Sequence, residues 1–554
     1  MDRRTALRLV DATSSEIDRA MKALGGRSRK GSGKRRVSPR QHPPLYHLSH
    51  LIRDEERLRL EARFGSLCRD RLEQWRNCFT DVRVGSPRRD QIAEGGLTDN
   101  SRDEESYRYV DIPIGADIDA FRHSLWHLTD ARMREAEDAW LRKRAHELTY
   151  LDPHPGLGAM ERLPPREDLH FARLPEIDVD RWRRYVVKAS AVPKEHPLVK
   201  SSHVAMNVES QTRIYVSSEG VRRIDRHSFW SLECELWLLS AKGDGLPIAI
   251  DLTVCDPEEL PSPREFAKQI RERIALLERL AAAPVVRSYS GPVLLEPVPA
   301  GLLIHEALGH RLEGNRLLSP GEGQTFRDSL GEKVLPDFLT LRDDPRLSEF
   351  EGKSLVGHYR FDDEGVDAQD ARLIEAGTLR GFLTSRIPIA KRHSSNGHGR
   401  ARHHERPVSR MAVTILETAE GLGESALRDR LIAEVKRQGL PYGIRILHAS
   451  GGETTTESYD FQAFLGEINV ASRVYPDGRE ELIRGVNFVG TPLNAIRGII
   501  AAGDRSELDN GWCGAESGYV PVSTISPALL VRHLELQSKA ETPYTQYAYP
   551  IPWG

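Results

Sequence analysis

Leu302-Leu303-Ile304-His305-Glu306-Ala307-Leu308-Gly309-His310-Arg311-Leu312-Glu313-Gly314 sets two imidazoles and two carboxylates inside an apolar run. The run follows Val293-Leu294-Leu295, which reads as a strand, and Pro299, where a helix should begin. On an ideal helix with His305 at zero, Glu306 falls at roughly 100°, His310 at roughly 140° and Glu313 at roughly 80°. Both carboxylates therefore project between the histidines. The zinc-protease spacing His-Glu-x-x-His puts its imidazoles one turn apart, and here the gap is one residue longer. A locally unwound helix closes that gap, and single π-turns recur at functional sites. Gly309 leaves the approach open. Such a face can also be a hydrated polar surface, but Leu302, Leu303, Ile304, Ala307 and Leu308 argue for a core position, where unpaired imidazoles and carboxylates are costly.

Catalytic zinc takes three protein ligands and keeps one position open. Beside His305 and His310, the third ligand is either Glu313, close in sequence, or Cys513. The cysteine lies in Gly511-Trp512-Cys513-Gly514, whose glycines let the backbone turn tightly. A thiolate ligand makes a carboxylate base more necessary. Glu306 suits that role, taking a proton from water as it attacks a peptide carbonyl. A site closed by four protein ligands would instead be structural, as in a non-catalytic scaffold or regulatory subunit.

Around this segment the chain reads as α+β: a mixed multi-domain protein with antiparallel sheets and packed helices, the metal-binding helix being followed by a β-rich C-terminal domain. Val204 to Val216, Ser228 to Leu239 and Pro247 to Val254 alternate like strands. Ser262-Pro263-Arg264-Glu265 opens a helix with an N-cap serine and capping-box spacing, and Phe266, Ile270, Ile274 and Leu277 form its buried stripe. Further upstream, residues 12 to 24 read as a helix capped at Thr13 and Glu16. Arg27 to Pro44 reads as a basic linker, Asp54 to Arg76 as helical, Asp81 to Val84 as a strand, and Asp117 to Leu148 as one or two helices. The expected units are 1–44, a helix with a basic linker; 45–195, a divergent α/β region; 196–290, a sheet with a helix; and 291–554, the metal-bearing domain.

Composition narrows the class. The 554 residues carry 79 Lys+Arg against 82 Asp+Glu, so no overall basic surface invites nucleic acid. No stretch approaches the roughly 18 apolar residues of a membrane span. The first residues lack the apolar core of a secretory signal. Five scattered cysteines do not make a disulfide scaffold, so a cytoplasmic protein is expected. Cys234 and Cys255 read as packing residues. His393, His398, His403 and His404 lie in a polar stretch read as an exposed loop, and Phe361-Asp362-Asp363-Glu364-Gly365 reads as a turn.

The helix closely resembles the His-Glu-x-x-x-His helix of the TldD/PmbA family of bacterial metallopeptidases. The resemblance continues in order through Val216-Ser217-Ser218-Glu219-Gly220, Phe361 to Gly365, Asn396-Gly397-His398-Gly399-Arg400, Ser450-Gly451-Gly452 and Leu508 to Gly514. It covers roughly residues 195 to 540 well and the first 190 poorly. It implies a TldD-like, catalytic member with one zinc ion per chain, held by His305, His310 and Cys513, and with Glu306 as the catalytic carboxylate. Glu313 is then left to orient a histidine. It also implies extended peptide substrates and a homodimer, or a heterodimer with a PmbA/TldE-like subunit. Ser450, Gly451 and Gly452 would offer a strand edge to the peptide, and His398 and Arg400 a substrate-facing loop.

Overall fold

The structure, a computed structural model, describes residues 1–25, 43–92, 111–151, 154–240, 243–318, 325–390, 393–402, 405–454, 464–490 and 492–538. The basic segment read as a linker lies outside these residues up to position 42, as do His403 and His404. The described elements form an α+β chain with two large sheets. Among the described residues, no helix is long and apolar enough to cross a membrane.

The first sheet grows from a long hairpin, Leu45–Arg63 and Ser66–Ser86. This overturns the helix expected over Asp54 to Arg76. The period-two signal is present in Leu58, Leu60 and Ala62, which are buried together in the core. The charges between them imitated a helix surface, but Arg53 and Glu55 are buried as well. Leu45–Arg63 pairs in turn with Val199–Ser217, from Ser49 opposite Ser217 to Ala62 opposite Val204. Val221–Leu239 and Gly245–Val254 extend the sheet antiparallel, as the alternation predicted. One sheet thus spans the boundary expected at 195/196, because strand pairing joins segments on either side of a helical insert. The boundary expected at 290/291 falls within the strand Ser288–Leu295.

Helices cover one face of this sheet. Pro263–Ala282 carries the capping box of Ser262 and Glu265 and buries Phe266, Ile270, Ile274 and Leu277, as read. Ile118–Glu147 is a single helix capped by Asp117. The first helix, Arg3–Leu24, starts at Asp2, whose side chain accepts the Thr5 N–H. Thr13 is not its cap: its hydroxyl donates to the Leu9 carbonyl, and Glu16 pairs with Arg122.

The second sheet closes on itself. Ser288–Leu295, Gly443–Thr454, Phe464–Val474, Val486–Gly490 and Gly518–Ser538 form a ring, sealed where Ser288–Leu295 pairs with both Gly443–Thr454 and Gly518–Ser538. The helix Pro297–Ile304 packs against this ring, and its residues Leu303 and Ile304 are fully buried in the same core as Ile446 and Leu529.

Ion pairs join the two halves. Asp363 Oδ1 lies 2.9 Å from Arg213 and 3.1 Å from Arg53, both on the first sheet. Arg386 reaches Glu219 at 2.6 Å, and Arg406 reaches Asp81 at 3.0 Å. The turn Phe361 to Gly365 and the segment Val216 to Gly220 thus meet at one interface. Burial opposes ionisation of Asp363, but Arg53 and Arg213 outweigh it and hold its carboxyl below the ordinary range. Asp363→Asn is expected to destabilise the protein by about 3–5 kcal/mol, because the buried guanidiniums of Arg53 and Arg213 lose the carboxylate they share. A depressed carboxyl contributes stability above its ordinary value of 3.8 and loses it as pH falls through the lower folded value. Urea unfolding of the two proteins should therefore differ at neutral pH and converge in acid; equal midpoints at pH 7 would refute the role.

Candidate metal centre

The helix Pro297–Ile304 begins with proline in its first turn and is apolar almost throughout. It continues into a π-turn over His305–Gly309, closed by the His310 N–H donating to the His305 carbonyl. An i to i+5 hydrogen bond sets residues five apart one turn above each other. The two imidazoles, too far apart on an ideal helix, thereby meet with ring centroids 5.1 Å apart and nearly perpendicular planes. Gly309 is required for a neighbour rather than for a metal, since a methyl there would run into Met411 Sδ.

Cys513 arrives from the strand Ile499–Ala515, held by its pairing with Val520. Its sulfur lies 3.5 Å from His310 Nε2. The ligand atoms of His305, His310 and Cys513 all lie within 4.8 Å of one another, and all three residues are buried. Zn–N bonds of ~2.0–2.1 Å and a Zn–S bond of ~2.3 Å in a tetrahedron set nitrogen and sulfur roughly 3.5 Å apart. The donor set fits zinc, and two imidazoles with a thiolate select it over hard cations. Among the described residues, this is the one group of three such donors.

Burial alone would keep the thiol and both imidazoles neutral. Burial of Cys513 is outweighed by His310, His305 and Arg410, which hold its thiol well below the ordinary value. Burial of His305 and His310 is outweighed chiefly by Cys513, which raises both. The trio is therefore a thiolate facing imidazoles that favour their protons, and a cation that binds there displaces them.

Glu313 does not project between the histidines. The chain leaves the helix before it, and its fully buried carboxylate lies behind His310, with Oε2 3.2 Å from Nδ1. That contact turns Nε2 toward Cys513 and fixes the ring's orientation. Glu313 also accepts from Arg316 Nε at 2.9 Å. Burial raises its carboxyl, but His310, Arg316 and Arg410 bring it down to about 2.

Glu306 is buried and close enough to His305 to act on its charge. It packs against Gly452, where a Cβ would come within 2.8 Å of Glu306 Cγ. Ser450, Gly451 and Gly452 lie on Gly443–Thr454, whose pairing with Ser288–Leu295 stops at Ile446. A register shift separates Ser450 from Gly452, and Gly451 takes a positive φ of 63°. This stretch, paired to Phe464–Val474 on one side, runs beside Glu306.

His398 and Arg400 are not a substrate-facing loop, nor is Asn396 to Arg400 exposed. His398 is fully buried, with Nε2 3.2 Å from Asp343 and Nδ1 3.0 Å from Asn396 Oδ1. The Arg400 guanidinium donates to the carbonyls of Met411 and Pro521 and lies over the Tyr359 ring. Asp343 accepts the N–H groups of Ala412 and Val413. These residues brace the segment that carries Arg410 and Met411 to the metal centre. Arg410 itself escaped the sequence reading: a single arginine among apolar neighbours has no spacing signal, and Cys513 is far away in the chain.

Residues 288–538 match the PmbA/TldA metallopeptidase C-terminal domain. A metalloprotease of Archaeoglobus fulgidus is 31% identical over 264 residues, which cover 47% of this chain and 56% of the relative. A zinc metalloprotease TldD homolog of Saccharolobus solfataricus is 25% identical over 359 residues, covering 63% of this chain and 74% of the relative. The chain spans about half the length of several curated relatives it matches. The crystal structure of TldE from Thermococcus kodakarensis superposes with a TM-score of 0.60 at 13% identity, covering 89% of this chain and 97% of the other. At that identity the likeness shows the fold alone.

Proposed function

The chain belongs to the TldD/PmbA family through its residues 288–538, and from that premise we propose that it is a zinc-dependent peptidase of the TldD type acting on unfolded or extended peptides. The observation that carries this reading is the convergence of His305, His310 and Cys513 within 4.8 Å, with Glu306 beside them. His305, His310 and Cys513 would hold one zinc ion. Zinc bound there supplies Lewis acidity toward a carbonyl oxygen and makes water easier to deprotonate. Glu306 takes the proton from the attacking water and delivers it to the leaving amine. Glu313 keeps His310 in the orientation that offers Nε2. The stretch from Ser450 to Gly452, running beside Glu306, supports docking of an extended peptide as an added strand.

The assembly belongs to the same proposal: a homodimer, or a heterodimer with a TldE-like subunit. So does a cytoplasmic location, supported by five free cysteines. A structural zinc site would need a fourth protein ligand. Glu313, the candidate weighed from the sequence, is engaged by His310 and Arg316 instead.

Metal analysis and cleavage of an unstructured peptide test the reading together. One zinc per chain is expected, with cleavage lost on chelation and restored by zinc. Cleavage that survives complete removal of the metal would overturn it.

A further inference from the structure

We propose that Arg410 is a positioning residue which, with Glu313, locks His310 and Cys513 into one preformed frame and draws charge from the Cys513 sulfur. The inference rests on the zinc reading above and concerns a residue outside the donor set.

His310 and Cys513 come from different elements, a helix end and a strand, and no covalent bond holds them in register. Arg410 supplies the link. Its side chain is fully buried. Nη2 donates to the Cys513 carbonyl at 2.7 Å and to Cys513 Sγ at 3.3 Å. Nη1 donates to Ser517 Oγ at 2.8 Å and to the Gly518 carbonyl at 2.9 Å, across the turn that follows the cysteine. On its other side, Nε lies 3.4 Å from Glu313 Oε1, and Glu313 Oε2 meets His310 Nδ1. The contacts close a cycle: sulfur, guanidinium, carboxylate, imidazole and back to sulfur.

Only a planar fork of several donors spans the sulfur, the cysteine carbonyl and the turn at once; an ammonium is a single point of charge. The backbone of Arg410 is itself fixed, its N–H donating to the His398 carbonyl at 3.0 Å. The Asp343–His398 pair and Arg400 thus act on the metal centre at one remove. A thiolate that accepts an N–H donates less charge to a metal, which by itself weakens the bond and raises the charge-transfer energy. The larger effect of Arg410 on affinity is the opposite one: it holds the sulfur in place through the carbonyl and turn contacts. Ligands held by such partners lose ~10–100-fold in metal affinity when the partner is removed.

Cobalt(II) is the probe, because its thiolate-to-metal charge-transfer absorption reports the sulfur directly. Wild type, Arg410→Lys, Arg410→Gln and Glu313→Gln are loaded with cobalt, and circular dichroism establishes that each is folded. Both Arg410 variants should bind cobalt ~10–100-fold more weakly, with the band moved to lower energy. Glu313→Gln should weaken binding over a similar range and leave the band in place, since its sulfur keeps Arg410. Arg410 variants whose band and affinity both match wild type would overturn the proposal while leaving the zinc reading intact. A wild-type protein that binds cobalt without a thiolate band would remove Cys513 from the donor set, and with it both readings.

Discussion

Glu306→Gln is expected to keep its zinc and lose peptide cleavage by ~10²–10⁴-fold, the usual contribution of a positioned general base. The carboxylate lies outside the group formed by His305, His310 and Cys513, so the substitution leaves all three donors in place. Glutamine has the shape of glutamate, and the close approach of Glu306 to Gly452 is preserved. What disappears is an atom able to take a proton from water and return it to the amine. Metal content and turnover should therefore separate. The measurement is zinc stoichiometry beside kcat on an unstructured peptide, and a fully active Glu306→Gln protein would sink the mechanism.

Cys513→Ala should have the opposite profile, losing metal and activity together. It deletes one of three donors, so its effect on zinc affinity should exceed the ~10–100-fold lost when an outer partner is removed. The fold should persist, because the strand Ile499–Ala515 stays paired to Gly518–Ser538 through backbone bonds, and Arg410 keeps the carbonyl of residue 513. Competition against a chelator of known affinity measures the change. A Cys513→Ala protein that binds zinc as tightly as wild type would show that the sulfur is not a ligand. Its contrast with Glu306→Gln distinguishes a failure of binding from a failure of proton transfer.

Local grammar was legible wherever one element could be read alone. The capping box before Pro263–Ala282 and its stripe of Phe266, Ile270, Ile274 and Leu277 stand in the structure as read, and the helical reading of Asp117 to Leu148 resolves into one helix. The hairpin of Leu45–Arg63 and Ser66–Ser86 was misread because exposed charges such as Arg69, Asp70 and Arg71 are mixed with buried ones along the same strands. Arg53 and Glu55 are buried, and Arg53 pairs with Asp363. A run of charge looks like an exposed helix until its partners are known, and the partner of Arg53, Asp363, is remote in the chain. His398 and Arg400 failed for the same reason: polar side chains suggested a surface, and burial made them braces.

The His305-to-His310 helix shows where sequence ends and tertiary structure begins. Residue types and spacing alone determined that two imidazoles and a carboxylate would share a helix in an apolar setting, one residue off the usual register. The resemblance pointed to Cys513. Only the folded chain decided how the register is corrected, through the i to i+5 bond of the π-turn, and which way His310 points, through Glu313 behind it. It also decided that Arg410 would join sulfur to carboxylate. Spacing follows from the chain itself, whereas orientation and charge depend on what the rest of the fold packs around each donor.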